Sequence, residues 1–345
     1  MDKFSKRDAP SSGQTLKSLL TRLYRAGFKK EFARAAILPE WWDDDCTNDL
    51  AIIPDIEIRV ARFLGLPLVA VKDARTKLVS PTYPNAQLRR VRDIDRDRLS
   101  AAIHAALKIS SAVVRSLREP SRGLNTPPDD GLAWHREMKS TLSVVTLDTI
   151  LDDLWNRGIP VVPIDILPAP SFQGLACVVD GRPVILLGHK HDEPARTAFF
   201  LAHESAHIVA GDCAKNQPVL DEDEEIVDQD AMEKSADQYA NNVLYGGQQF
   251  HLTEDPNFKD LATQAHQMEM STGVDAGFVI FNWAHRTQKY DIASLAANAL
   301  YKGSGARKKL RQHFDLNVDL DAATECDRSL LRCVYGDPDR HATSG

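Results

Sequence analysis

Between Asp192 and Gly211 the sequence marks both ends of a helix, and inside it stands the run His203-Glu204-Ser205-Ala206-His207. Asp192 is a good N-cap, Pro194 fits the first turn, and Gly211 is a natural stop, so Glu193 to Ala210 is predicted to form one helix. Residues four apart on a helix stack on one face, which sets the two imidazoles side by side, close enough to grip a single metal ion. Glu204, one residue along, projects about a hundred degrees away. That offset suits a general base acting on a water at the metal rather than a ligand. Ala195, Phe199, Ala202, Ala206 and Val209 give the helix an apolar face to bury, so the histidines are expected to point into a cleft.

Two histidines do not complete a catalytic zinc site, which needs a third protein ligand and an open position. Glu233 to Leu244 reads as the next helix, with Met232, Ala236, Tyr239, Ala240 and Val243 on one face. We assign Glu233 as the third ligand. Asp237, one turn further, is expected to accept the outer N–H of a ligand histidine and so fix its tautomer. Rival ligands are Asp221, Glu222, Glu224, Glu225, Asp228 and Asp230, in an acidic stretch that reads as loop and would hold a metal less rigidly than a helix. Zn2+ is the expected ion, with Mn2+ or another divalent cation as an alternative. His251, His266, His285 and Tyr239 are the candidates for stabilising an oxyanion.

Around this centre the chain reads as helices and a small sheet. A helical hairpin is expected over residues 13–36, broken at Gly27, a further helix from Pro54 or Asp55 to Gly65, and a long one over Arg89 to Glu119. The loop-forming stretch Pro120 to Asp130 is the best boundary in the sequence. Beyond it we expect a helix over Leu142 to Arg157, a strand over Ile159 to Ile164, and a hairpin pairing Leu175 to Val179 with Pro183 to Leu187 around Asp180-Gly181. The strand at Val184 to Leu187 is a candidate for pairing with an extended peptide at its edge. After Tyr290 a helix is expected, then a polar stretch from Asp315 onward, with 337–345 frayed.

The formal net charge of -7 argues against a surface built throughout to embrace nucleic acid. A basic cluster of Lys17, Arg22, Arg25, Lys29, Lys30 and Arg34 on the first hairpin leaves contact with DNA or a partner open for that part alone. Five scattered cysteines without a Cys-x-x-Cys pair fit reduced thiols. No run of about 18 apolar residues and no apolar core near the start is present, so a soluble, cytoplasmic chain without a membrane partner is expected.

From Leu142 to His285 the chain resembles the ImmA/IrrE family of metallopeptidases. The resemblance rests on the helix ending Leu154-Trp155-Asn156-Arg157-Gly158, the strand Ile159-Pro160-Val161-Val162, the hairpin, Phe200-Leu201-Ala202-His203-Glu204-Ser205-Ala206-His207, and Glu233-Lys234-Ser235-Ala236-Asp237-Gln238-Tyr239-Ala240. It implies an α+β, mostly helical fold. A zincin-like metallopeptidase domain with a small antiparallel sheet would span residues 131–295, preceded by a helical N-terminal domain over 1–125 and followed by a helical, polar extension over 296–345. It also implies a zinc-dependent endopeptidase that cuts a helix-turn-helix repressor or an antitoxin, and thereby regulates transcription. Where relatives continue with Leu-Leu-Met-Pro, this chain has Val243-Leu244-Tyr245-Gly246-Gly247, so the end of its cleft is expected to differ. The competing account is a non-catalytic metal-binding regulator that docks a partner or DNA through its N-terminal helices.

Overall fold

The computed structural model describes residues 15–81, 87–88, 93–120, 122–141, 144–168, 172–188, 192–213, 219–221, 231–253, 255–301 and 305–335. Helix α1 (Leu16–Arg25) buries Leu16, Leu19, Leu20 and Leu23 on one stripe and is capped by Thr15, whose hydroxyl accepts from Ser18 N at 3.2 Å. Gly27, with φ +100°, turns the chain into α2 (Lys30–Ala36), as the sequence predicted. A Cβ at Gly27 would fall 2.8 Å from that of Ala101, so only glycine lets the hairpin approach so closely. Helix α3 (Ile53–Leu64) ends at Gly65, and α4 (Leu68–Lys72) follows.

After the short strand β1 (Gln87–Leu88) comes the long α5 (Asp93–Arg115). The reading of one helix from Leu142 to Arg157 is corrected. The helix found there, α7 (Leu147–Asn156), starts later than read, at the Thr146 cap, and a separate helix, α6 (Gly131–Thr141), precedes it and was not foreseen. The Asp130 carboxylate accepts from Leu132 N at 3.0 Å, and Thr146 with Thr149 closes a capping box.

Three strands follow, β2 (Val161–Ile164), β3 (Gly174–Val179) and β4 (Arg182–Gly188). Asp180 and Gly181 both take positive φ, 51° and 77°, the backbone of a type I′ turn, and set β3 against β4 as an antiparallel hairpin. Helix α8 (Pro194–Ala210), strand β5 (Val219–Asp221) and helix α9 (Ala231–Tyr245) come next. The remaining helices are α10 (Phe258–Thr272), α11 (Ala276–Thr287), α12 (Tyr290–Leu300), α13 (Ala306–Asn317) and α14 (Glu325–Leu331). The fold is thus α+β and mostly helical, with one small sheet.

That sheet is mixed rather than antiparallel, in the order β1-β5-β3-β4-β2. β2 runs parallel to β4 because β3 lies between them in sequence and reverses the direction, and β1 runs parallel to β5. β4 is flanked on both sides, by β3 and β2. Its backbone groups are therefore already paired, and it has no edge on which a peptide could be added.

Buried side chains form one connected core from Leu16 in α1 to Val334. Helix α5 lies against the sheet, where Ser110 Oγ and Cys177 Sγ meet at 3.6 Å. The stretch read as polar beyond Asp315 is in fact packed. Val318, Leu330, Leu331, Cys333 and Val334 are buried, and the Cys333 carbonyl accepts from Asp165 N and Ile166 N at 2.9 and 3.1 Å. Sparse apolar residues among charges concealed this. Residues 337–345 lie outside the described residues.

Of the basic cluster on the first hairpin, Arg22 is buried and donates to the carbonyls of Val71, Ala70 and Thr76, and Lys30 pairs with Asp44 at 2.7 Å. Arg22 thus serves the fold, while the Lys30 pair is exposed. Trp42 is a core residue and Trp41 is exposed. The side chains of the Arg89 to Arg98 stretch lie outside the described residues. All five cysteines are free thiols. No helix among the described residues is long and apolar enough to cross a membrane.

Candidate metal centre

Helix α8 starts and stops close to the predicted points, with one exchange of partners at its start. Glu193, not Asp192, occupies the N-cap, and the Asp192 carboxylate instead caps α13, accepting from Arg307 N at 2.7 Å. Gly305 makes room for it, since a Cβ there would meet the Asp192 carboxylate at 2.0 Å. At the other end Gly211 takes φ +76° and ends the helix in a left-handed turn.

His203 and His207 stack on α8 with Nε2 atoms 3.2 Å apart. Glu233, in the first turn of α9, brings its two oxygens to 3.2 Å from His203 Nε2 and 3.7 Å from His207 Nε2. A tetrahedral zinc with bonds of about 2.0 to 2.1 Å sets its ligand atoms about 3.3 Å apart, so these spacings fit such an ion. Asp237, one turn along α9, takes His203 Nδ1 at 2.9 Å, as predicted. Asp212, just past the end of α8, takes His207 Nδ1 at 3.0 Å and was not foreseen. The left-handed turn at Gly211 brings it back over the helix end, a signal legible from the Gly-Asp pair.

An ionised carboxylate can only accept, so each histidine spends its proton at Nδ1 and presents a lone pair at Nε2. Burial and the neighbouring His203 ring hold the His207 imidazole below its ordinary range, which favours the neutral form a metal needs. Two lone pairs and a carboxylate therefore face one another in a volume sealed from water, His203 being 1%, His207 1% and Glu233 3% exposed. Lone pairs and a carboxylate turned toward one another repel, and a cation between them relieves the conflict. The same three residues offer ligand atoms that all lie within 4.8 Å of one another. The expectation of histidines opening into a cleft is corrected: α9 packs against α8 and the rings are buried.

Glu204 is fully buried on the neighbouring face of α8. Its carboxylate lies against the start of β3, where a Cβ at Gly174 would come within 2.2 Å of Oε1, so glycine alone admits it. The negative charge of Glu204 adds to burial in pushing the Cys177 thiol up to about 12 and that of Cys213 higher still, so both stay protonated and inert. Phe199 does not share the buried apolar face. It stands four residues before His203, on the ligand stripe, with ring centroids 6.1 Å apart.

The oxyanion candidates are not gathered at the cluster. Tyr239 donates its proton to the Pro128 carbonyl at 2.7 Å. His251 and His285 are exposed, and His266 is exposed and pairs with Glu269. Among the rival ligands, 222–230 lie outside the described residues, and Asp221 ends strand β5. No protein-family model matches the chain, and no curated protein matches it.

Proposed function

We propose that this chain is a zinc-dependent endopeptidase with His203, His207 and Glu233 as ligands and Glu204 as general base. The observation that carries the reading is the convergence of three buried acceptors whose outer partners, Asp237 and Asp212, fix both rings with lone pairs inward. Two imidazoles and one carboxylate would hold zinc better than a hard cation such as magnesium. Zinc bound there supplies Lewis acidity toward a carbonyl and lowers the pKa of the attacking water toward 7. Glu204 takes the proton of that water and passes it to the leaving amine. Because the rings are buried, entry of a polypeptide requires neighbouring elements to move apart. The resemblance to the ImmA/IrrE family directs the choice of substrate to a helix-turn-helix repressor or an antitoxin in the cytoplasm, with transcription as the process regulated.

The burial of the centre favours a second reading, in which the metal is structural and the protein docks a partner or DNA through its N-terminal helices. Glu204→Gln separates the two. Under the peptidase reading the variant holds one equivalent of zinc, as the wild type does, yet fails to cut a helix-turn-helix repressor or antitoxin that the wild type cleaves. Equal cleavage by both proteins, or no zinc in either after reconstitution, would overturn the proposal.

A further inference from the structure

Away from the metal centre, α3 and α5 gather cations that the fold does not fully neutralise. A cavity of about 140 Å³ lies where these two helices meet the end of α2 and the length of α14. Arg59, Arg62, Lys108 and Arg115 line it, against a single lining carboxylate, Asp327. Two of the four cations are matched. Arg115 grips Asp327, and Arg59 lies between Asp55 and Glu325.

Arg62 and Lys108 are not matched in this way. Among the described residues neither pairs with a carboxylate. Arg62 Nη1 reaches Cys326 Sγ, a weak acceptor, at 3.9 Å, and Lys108 Nζ reaches the Arg62 carbonyl at 3.5 Å. An ammonium has three donors, and that carbonyl engages one of them. Lys108 is half-buried, and burial together with the Arg115 cation holds its ammonium below the ordinary range. Ser329, 4% exposed, lines the same cavity, and its hydroxyl makes no hydrogen bond among the described residues. A cation partly withdrawn from water and a buried hydroxyl without a partner both raise the free energy of the fold. One anion entering the cavity relieves both.

We infer that this cavity binds a phosphate group, free or as the monoester of a small molecule, through Lys108, Arg62 and Ser329. A phosphate monoester carries a charge of about -1.5 to -2 at neutral pH and three strong acceptor oxygens, more of both than a carboxylate or chloride offers. The donors present suit it. A guanidinium fork takes two oxygens side by side, an ammonium acts as a compact charge, and a hydroxyl turns to whichever oxygen remains. Arg59 and Arg115, held by their own carboxylates, add to the local field. Because α2, α3, α5 and α14 all contribute to the wall, a bound phosphate joins the last helix of the chain to the N-terminal ones and stabilises the folded state by mass action. The inference does not depend on the peptidase reading.

The test is calorimetric titration of the full chain with sodium phosphate and, separately, with methyl phosphate, at constant ionic strength. One equivalent is expected to bind with a Kd on the order of 0.1 to 1 mM. Lys108→Met should weaken binding about ten- to hundredfold, the share of a charged hydrogen bond, Arg62→Met by a similar factor, and Ser329→Ala about fivefold. Lys17→Met, which removes an exposed cation of α1, should leave it unchanged. Circular dichroism checks the fold of each variant, and Arg62, being exposed, reads the site even where Lys108→Met fails to fold. Zinc itself takes phosphate, so the titrations are repeated after chelation, and binding that vanishes with the metal would overturn the proposal. So would an equal response to acetate, no saturable signal up to about 10 mM phosphate, or affinity unchanged in both Lys108→Met and Arg62→Met. Tighter binding of methyl phosphate supports the site as one for a monoester, and tighter binding of orthophosphate supports it as one for the free ion.

Discussion

Charged and polar side chains are buried at both the N-terminal helices and the α8–α9 centre, but with opposite logic. In the first region arginine donors meet acceptors. Arg22 reaches three backbone carbonyls, Arg59 sits between Asp55 and Glu325, Arg115 grips Asp327 at 2.5 Å, and Arg332 donates to the carbonyls of Ala35 and Leu38. In the second region His203, His207 and Glu233 turn acceptors toward one another. Complementary pairing needs nothing further, whereas convergent acceptors call for a cation. The contrast separates charge neutralised within the fold from charge gathered at a candidate metal site.

The largest effect that could break this contrast comes from Glu233→Gln. The amide removes a negative ligand and offers a donor to a histidine lone pair. Metal affinity should fall by more than about 100-fold, beyond the loss expected of an outer partner. The metal-free variant should at the same time melt higher than the metal-free wild type, by about 1 kcal/mol in stability. Metal content after dialysis and chemical denaturation of both apoproteins measure this. A lower melting point for the metal-free variant would show that the three acceptors do not repel.

Arg22→Met is the mirror experiment in the first region. It keeps an unbranched stem but leaves the Val71, Ala70 and Thr76 carbonyls without the guanidinium donor. A loss of about 3 kcal/mol in urea denaturation is expected, with zinc binding unchanged.

Histidines sharpen the comparison next. His104 in α5 is buried beside Phe28 and Phe63, with Nε2 2.6 Å from the Phe63 carbonyl. Burial holds its imidazole down at about 4, against 6.5 when free. The folded chain thus binds this proton less readily than the unfolded one, so the stability tied to it is complete above 6.5 and drains as pH falls from there to about 4. The loss approaches about 3 kcal/mol across that window. Urea midpoints at pH 7 and 4.5 should show it, and His104→Gln, which keeps a donor for Phe63, should flatten the profile.

What could be read from the sequence follows the same division. The HExxH helix, Glu233 and Asp237 were legible because helical periodicity fixes which side chains share a face over short distances, and the β3–β4 hairpin because Asp180-Gly181 admits few backbones. Relations set by long-range packing were not. Asp192 looks like a cap for α8 and serves α13 instead, more than a hundred residues away. Parallel pairing of β2 with β4 depends on which strands become neighbours, and burial of the rings depends on how α9 settles on α8. The packed end of the chain was missed because Leu330, Leu331 and Cys333 are buried from a segment whose charges dominate its composition.

One chemical change made in both regions gives the smallest effects and the closest comparison. Asp237 and Glu325 are partly exposed carboxylates, 27% and 63% at the side chain, each paired with a more deeply buried nitrogen group. Conversion to the amide keeps the size of either and removes the charge. At Asp237 the loss falls on the orientation and basicity of His203, so zinc affinity should drop by about 10- to 100-fold while the metal-free chain keeps its melting point. At Glu325 the partner Arg59 retains Asp55 at 2.9 Å and solvent screens what is lost, so stability should fall by less than about 1 kcal/mol and zinc affinity should not move. Competition with a chelator of known affinity and parallel urea titrations resolve the two. A shift in zinc affinity on Glu325→Gln would couple the regions that the burial pattern separates, and an unchanged affinity on Asp237→Asn would remove that aspartate from the centre.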